Sequence, residues 1–168
     1  MIEKFKTLFF VKSSLISLYL ALTIPIPFVS VDSLKIPSII IFALGLYLII
    51  NITSDYVETC NNKISYKSSF ISKFLGKKNW EISWKDIKLI KSLPTSQGSK
   101  IHYFISTNNE SFLVPQRVEN FERFISIVEE KTKINIDELS YISPLWTYKL
   151  LTYLSLLMII GEILAFII

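Results

Sequence analysis

Apolar residues gather along this chain into three long runs, Leu8 to Val31, Ile36 to Ile52 and Trp146 to Ile168. Between the last two, apolar and polar residues alternate over short distances. Each run approaches the about 20 mostly apolar residues that cross a ~30 Å hydrocarbon layer, and a soluble core made by so short a chain could not bury all three. The pattern predicts a transmembrane helical hairpin over residues 1–53, with spans at about 8–31 and 36–52, and a third transmembrane helix over 144–168. Asp32 to Lys35 is read as the link between the first two spans. Pro25 and Pro27, each of which removes a backbone donor and fixes φ, predict a kink or an end in the first.

From residue 54 to 143 the spacing changes to the short alternations of antiparallel strands. The expected strands are Tyr56–Cys60, Lys63–Tyr66, Asn79–Trp84, Ile87–Ser92, Ile101–Thr107 and Ser111–Val114. Asn61-Asn62 and Asn108-Asn109 lie between pairs of them, and Asn tolerates the left-handed backbone of two-residue hairpins. Trp80, Ile82 and Trp84 alternate and share a predicted core face. After Pro115 the apolar positions Val118, Phe121, Phe124, Ile125 and Val128 take helical spacing, with Glu119–Arg123 and Glu129–Lys133 as i,i+4 pairs on the solvated side. The fold class is thus α+β: a strongly bent sheet or barrel closed by one amphipathic helix, between two membrane segments.

The run Trp80-Glu81-Ile82-Ser83-Trp84-Lys85-Asp86-Ile87, two following hairpin strands, Leu113-Val114-Pro115 and the amphipathic helix together resemble bacterial pleckstrin-homology-like (bPH) domains. A hairpin of membrane helices ahead of the domain is a further likeness. The resemblance covers residues 55 to 135. It implies a seven-stranded bent sheet or barrel with one carboxyl-terminal helix, and a role in oligomerisation and protein contacts. Six strands are legible, so the seventh is looked for within Ser68 to Phe74.

Charge sets an expected orientation. The net charge is +4, lysine is the dominant cation, and Arg117 and Arg123 are the two arginines. Lysines precede the first span and crowd the middle segment, whereas none follows the third span. The positive-inside rule therefore puts the amino terminus and the domain in the cytoplasm and the carboxyl terminus on the opposite side of a bacterial inner, or other internal, membrane. Lys4, Lys6 and Lys12 ahead of an apolar run imitate a secretory signal, but no A-x-A-like site follows and a second span comes at once.

Catalysis finds little footing: there is no recognisable Ser-His-Asp pattern, no glycine-rich phosphate loop among the four glycines, and no clustered metal ligands. Cys60 and His102 are each the only residue of their type, too few for a zinc site. A non-enzymatic protein without cofactor or metal is expected.

Binding is the remaining class. Lys73, Lys77, Lys78, Lys85, Lys88 and Lys91 form a basic cluster in sequence, suited either to anionic lipid headgroups or simply to a solvated, edge-protected strand face. Within the spans, Glu162 is read either as paired with Lys35, tying the third helix to the hairpin, or as reaching outer-leaflet water. Gly161 and Ala165 form a small-xxx-small step for helix packing. The expected function is a scaffold or assembly factor for a membrane protein complex, with membrane lipids and another membrane protein as partners. Self-association stays open, and nucleic acid is not expected. The alternative is sensing of anionic headgroups by the basic patch.

Overall fold

The computed structural model describes residues 2–96, 98–136 and 139–167. It is α+β, with two antiparallel sheets, and divides into two compact units. One is Met1–Leu8 with Ser54–Pro144; the other is Phe9–Thr53 with Leu145–Ile168.

The first unit opens with a strand that the hydropathy pattern hid. Strand β1 (Glu3–Lys6) precedes the first long helix and pairs antiparallel with β2 (Tyr56–Thr59), in a register that sets Lys4 opposite Glu58 and Phe5 opposite Val57. The sheet continues through β3 (Lys63–Lys67) to β4 (Trp80–Ser83) in the order β1-β2-β3-β4. A 3-10 turn over Trp84–Asp86 then leads into β5 (Ile87–Pro94), which pairs with β6 (Lys100–Ser106), and β6 pairs with β7 (Ser111–Leu113). The seventh strand therefore comes from the amino terminus and not from Ser68 to Phe74, where a one-turn helix, α4 (Phe70–Phe74), forms instead. Residues 1–8 belong to the sheet unit, and the hairpin of apolar helices is inserted in sequence between its first two strands.

Alternation explains the core. Phe5, Val57, Ile64 and Ile82 project inward from the first sheet and Phe104 from the second, all nearly inaccessible. Helix α5 (Phe121–Thr132) closes the open side with Phe121, Phe124, Ile127 and Val128. Phe124 meets Phe5 edge to face, 5.4 Å between ring centres. The helix starts three residues after Val118 because residues 117–119 are held extended against β1: Leu8 N–H donates to Arg117 O at 2.8 Å and Glu119 N–H to Lys6 O at 2.9 Å. Asn120 then turns the chain through a left-handed conformation, φ 51°. This docking redirects the expected Glu119–Arg123 pair, since Arg123 bonds Glu3 instead at 2.8 Å. Lys133 is also left-handed, φ 58°, and ends α5 before a helical pair with Glu129 can form. Asn109 has the left-handed backbone expected of a hairpin residue, φ 61°, whereas Asn61 and Asn62 do not.

The second unit contains three helices long and apolar enough to cross a membrane, Phe9–Val29, Asp32–Ile52 and Leu145–Ile167. The first is broken as its prolines require: α1 (Phe9–Thr23) stops and a short α2 (Pro25–Val29) resumes with proline in its first turn. Helix α3 (Asp32–Ile52) begins four residues earlier than hydropathy suggested. Asp32 occupies its positive end and pairs with Lys35 at 2.8 Å, so the supposed link is the first helical turn. Tyr19 of α1 stacks on Phe42 and donates its hydroxyl proton to Phe42 O at 2.8 Å. Gly45 makes room for that ring, because a Cβ there would come within 2.8 Å of Tyr19 Cζ. Helix α6 (Leu145–Ile167) runs parallel to α1: Lys149 Nζ sits 4.9 Å from the Phe10 ring centre near one end, and Phe28 meets Phe166 near the other.

Because β1 carries a core aromatic, Phe5→Ala is expected to lower unfolding free energy by about 3–4 kcal/mol, and Ile2→Ala, at an exposed site, by less than about 0.5 kcal/mol. Denaturation of the full chain in detergent in a Trp146→Phe background, followed by fluorescence of the partly and fully buried Trp80 and Trp84, measures both.

Candidate functional site

Chain connectivity draws attention to Asp55, three residues beyond the end of α3 and one before β2. Its side chain is buried, 7% exposed, and every oxygen is used. Oδ1 accepts from Ser69 N–H at 2.8 Å, while Oδ2 accepts from the Tyr66 hydroxyl at 2.7 Å and from Lys77 Nζ at 2.9 Å. The backbone carbonyl accepts from Thr7 Oγ1 at 3.0 Å. One residue thus fastens the segment that leads into α1, the start of β2, and both ends of the 69–77 loop. Burial alone would raise the Asp55 carboxyl, but the hydrogen bonds from Lys77, Ser69 and Tyr66 outweigh it and hold the group below the ordinary 3.8. Burial, reinforced by the bond to Asp55, pushes the Tyr66 phenol upward.

The loop is shaped by its caps. Ser69 Oγ accepts from Ser72 N–H at 3.3 Å. At the other end Gly76, φ 90°, allows Gly76 N–H to reach Lys73 O and Lys77 N–H to reach Ser72 O, at 3.0 and 2.9 Å. These are the paired bonds of a Schellman motif, which needs a left-handed residue at the turn. Ser72 points inward and is fully buried, whereas Phe70, Lys73, Phe74, Leu75 and Lys78 face outward.

The six lysines therefore do not make one patch. Lys73, Lys77 and Lys78 lie on the loop at the Asp55 end of the first sheet, and Lys77 is already engaged by Asp55. Lys85 sits in the turn whose Trp84 N–H bonds Asn62 O, at the opposite end of the strands, and Lys88 follows on β5. Lys91 is further along β5, opposite Tyr103. Positions close in sequence separate because the extended strand β4 lies between Lys78 and Lys85.

In the helical unit the expected Lys35–Glu162 pair is absent. Lys35 is taken by Asp32, and Oε2 of Glu162 is buried without a hydrogen-bond partner among the described residues. Gly161 and Ala165 are exposed, and a Cβ at Gly161 would meet nothing within 4 Å. Close packing within this unit uses other small residues: Ser14, Ser17 and Ala21 of α1, and Ser155 of α6, are buried. Their hydroxyls bond backbone carbonyls of their own helices, as with Ser155 to Leu151 O at 2.8 Å, so burial leaves no donor open.

His102 is fully buried, and its Nδ1 lies 2.8 Å from Ser92 Oγ, across the β5–β6 register. Gln116 reinforces the same region by donating Nε2 to Lys100 O and Ser140 O. Cys60 is half-buried beside a depression of about 150 Å³ that Glu3 and Arg123 also line, below the size of most small-molecule pockets. No group of three or more His, Cys, Asp or Glu among the described residues is placed to hold a metal.

No family model matches this chain. Uncharacterized protein slr0269 of Synechocystis sp. is 27% identical over 155 residues, covering 88% of this chain and 77% of that protein. That extent exceeds the sheet unit, so the similarity includes helices of the apolar unit as well.

The lowered Asp55 carboxyl sets a sign for acid sensitivity. Its contribution is present above pH 3.8 and is lost as pH falls through the lower folded value. Asp55→Asn is expected to cost about 1–3 kcal/mol at neutral pH, with the gap to wild type closing below about pH 4. Unfolding curves for both proteins across the acid range test this; a gap independent of pH would contradict it.

Proposed function

We propose that this protein is a non-catalytic integral membrane protein whose pleckstrin-homology-like module serves as a scaffold or assembly factor for a membrane protein complex. Four strands, then three, with a carboxyl-terminal helix closing the core, support the domain assignment. Pairing of β1 with β2 supports a hairpin topology, because residues 3–6 and 56–59 must lie on one side of any bilayer that α1 and α3 cross. The lysines of the module favour the cytoplasm for that side under the positive-inside rule, and in this reading α6 carries the chain to the opposite face.

The observation that carries the scaffold reading is Glu162. A carboxyl group in an apolar helix is costly without a partner. Here one oxygen is buried with no hydrogen bond, while the residue stays partly open beside exposed Gly161 and Ala165. The accessible part of Glu162 is open to a donor from another membrane protein, and the small residues beside it let that protein's helix approach closely. Headgroup sensing by all six lysines together is the weaker reading, because Lys85 and Lys88 sit at the far end of the sheet from Lys73 and Lys78.

Photo-crosslinking from residues 161 and 165 in native membranes tests the proposal, with residue 41 of α3 as reference. A discrete protein adduct from the α6 positions, weakened by Glu162→Leu, is expected; an adduct at twice the chain mass would make the partner a second copy. Lipid adducts alone at both α6 positions would contradict the scaffold reading.

A further inference from the structure

We infer that the loop from Phe70 to Lys78 is a membrane-interface anchor, inserting Phe70, Phe74 and Leu75 into the bilayer surface while Lys73 and Lys78 contact anionic headgroups. The inference rests on the reading that α3 crosses a membrane.

Exposure singles out the loop. Phe70, Phe74 and Leu75 are 77%, 86% and 64% exposed, and they adjoin one another on one short loop. The other large apolar residues exposed on β5 to β7, Leu89, Leu93 and Leu113, are scattered singly and less open, as on any protein surface. Nothing in the sheet unit needs these two rings to hold the loop. Its conformation is fixed by the Ser69 cap, the Gly76 turn and the Asp55 bonds, all polar or backbone contacts. The aromatic side chains are thus presented outward by a scaffold that functions without burying them.

The position of the loop follows from covalent reach. Asp55 lies three residues past Ile52, the last residue of α3, so the chain can separate them by no more than about 11 Å. Asp55 grips the loop on both flanks, at Ser69 N–H and at Lys77 Nζ, each within 3 Å. Whatever the tilt of the sheet unit, the loop stays within a short distance of the point where the chain leaves the membrane. The composition suits that place: aromatic and leucine side chains for the acyl boundary, lysines for the phosphates, and a glycine that ends the helix without bulk.

Bilayer lipid fits better than a protein groove because the occupant must be available wherever α3 inserts and must match a small apolar tip ringed by cations. By contrast, the equally lysine-rich Lys85–Lys88 region lies at the far end of the strands and exposes only lysines and Asp86 in its turn. It is not part of the anchor.

The test uses the full chain with Cys60→Ser, reconstituted into vesicles of phosphatidylcholine with phosphatidylglycerol. An environment-sensitive fluorophore is attached in separate preparations through Phe74→Cys, Asn108→Cys or Ile41→Cys, and a quencher carried on the lipid acyl chain reports contact. Emission from residue 74 that is blue-shifted and quenched by the lipid-borne group at least about threefold more than from residue 108 is the expected result. Lys73→Glu with Lys78→Glu should reduce that quenching in the anionic vesicles. Equal, water-like emission from 74 and 108, with 41 strongly quenched, would overturn the anchor while leaving the spans intact. Weak quenching at 41 would instead remove the membrane reading on which the anchor rests. A blue shift at 74 without lipid quenching would assign the loop to a protein contact, a second copy or a partner, and would also overturn the inference.

Discussion

Antiparallel pairing between β1 and β2 is the constraint on which the rest of this molecule depends, because it joins two segments that lie on either side of a membrane-length helical hairpin. Four residues of strand would gain little by closing so long a loop unaided. The helices reduce that cost: α1 and α3 pack antiparallel through the Tyr19 hydroxyl bond to Phe42 O and the gap left by Gly45, which returns the end of α3 to the level where α1 began. Once formed, β1 places Phe5 between Val57 and Phe124 and supplies the backbone edge on which residues 117–119 lie. The closing helix α5 is therefore positioned partly by the amino-terminal strand.

Asp55 stabilises the same junction by a different kind of interaction. Its carboxylate is buried, yet donors from Ser69, Tyr66 and Lys77 surround it, so the desolvation cost is offset by hydrogen bonds that favour the charged form. A charge buried in this way is directional where an apolar contact is not. It fixes the 69–77 loop and Thr7 in one arrangement beside the place where the chain leaves α3.

Much of this architecture is legible in the residues, and the exceptions have physical causes. The three apolar runs, the six strands between residues 56 and 114 and the Phe121–Val128 face of α5 follow from hydropathy and periodicity, because each sits in a stretch whose alternation, turn residues or helical spacing recur. Strand β1 stands apart from that stretch, and Glu3-Lys4-Phe5-Lys6 carries one inward apolar residue while its lysines imitate the basic flank of a membrane span. Its partner lies some fifty residues away, beyond any local pattern. Helix α4 is decided by its caps, of which Gly76 was the readable sign. Nearness of the lysines in sequence does not become nearness in space, because Lys78 and Lys85 lie beyond opposite ends of β4. Asp55 offered only the hint of an isolated acid between an apolar run and a strand. Lys35 chose the partner one helical turn away, as an i,i+3 neighbour within its own helix.

The most direct test of the account asks whether β1 belongs to the sheet in the register described. Lys4 and Glu58 lie directly opposite and already form an ion pair at 2.9 Å, so Lys4→Cys with Glu58→Cys in a Cys60→Ser background brings two thiols within disulfide reach. Mild oxidation of the membrane-embedded protein is predicted to link this pair efficiently, and to leave unlinked the offset pair Lys6→Cys with Glu58→Cys, whose β-carbons are about 7–8 Å apart in this register. Failure of the in-register pair, or equal linking of both, would contradict a sheet that begins ahead of the first apolar helix.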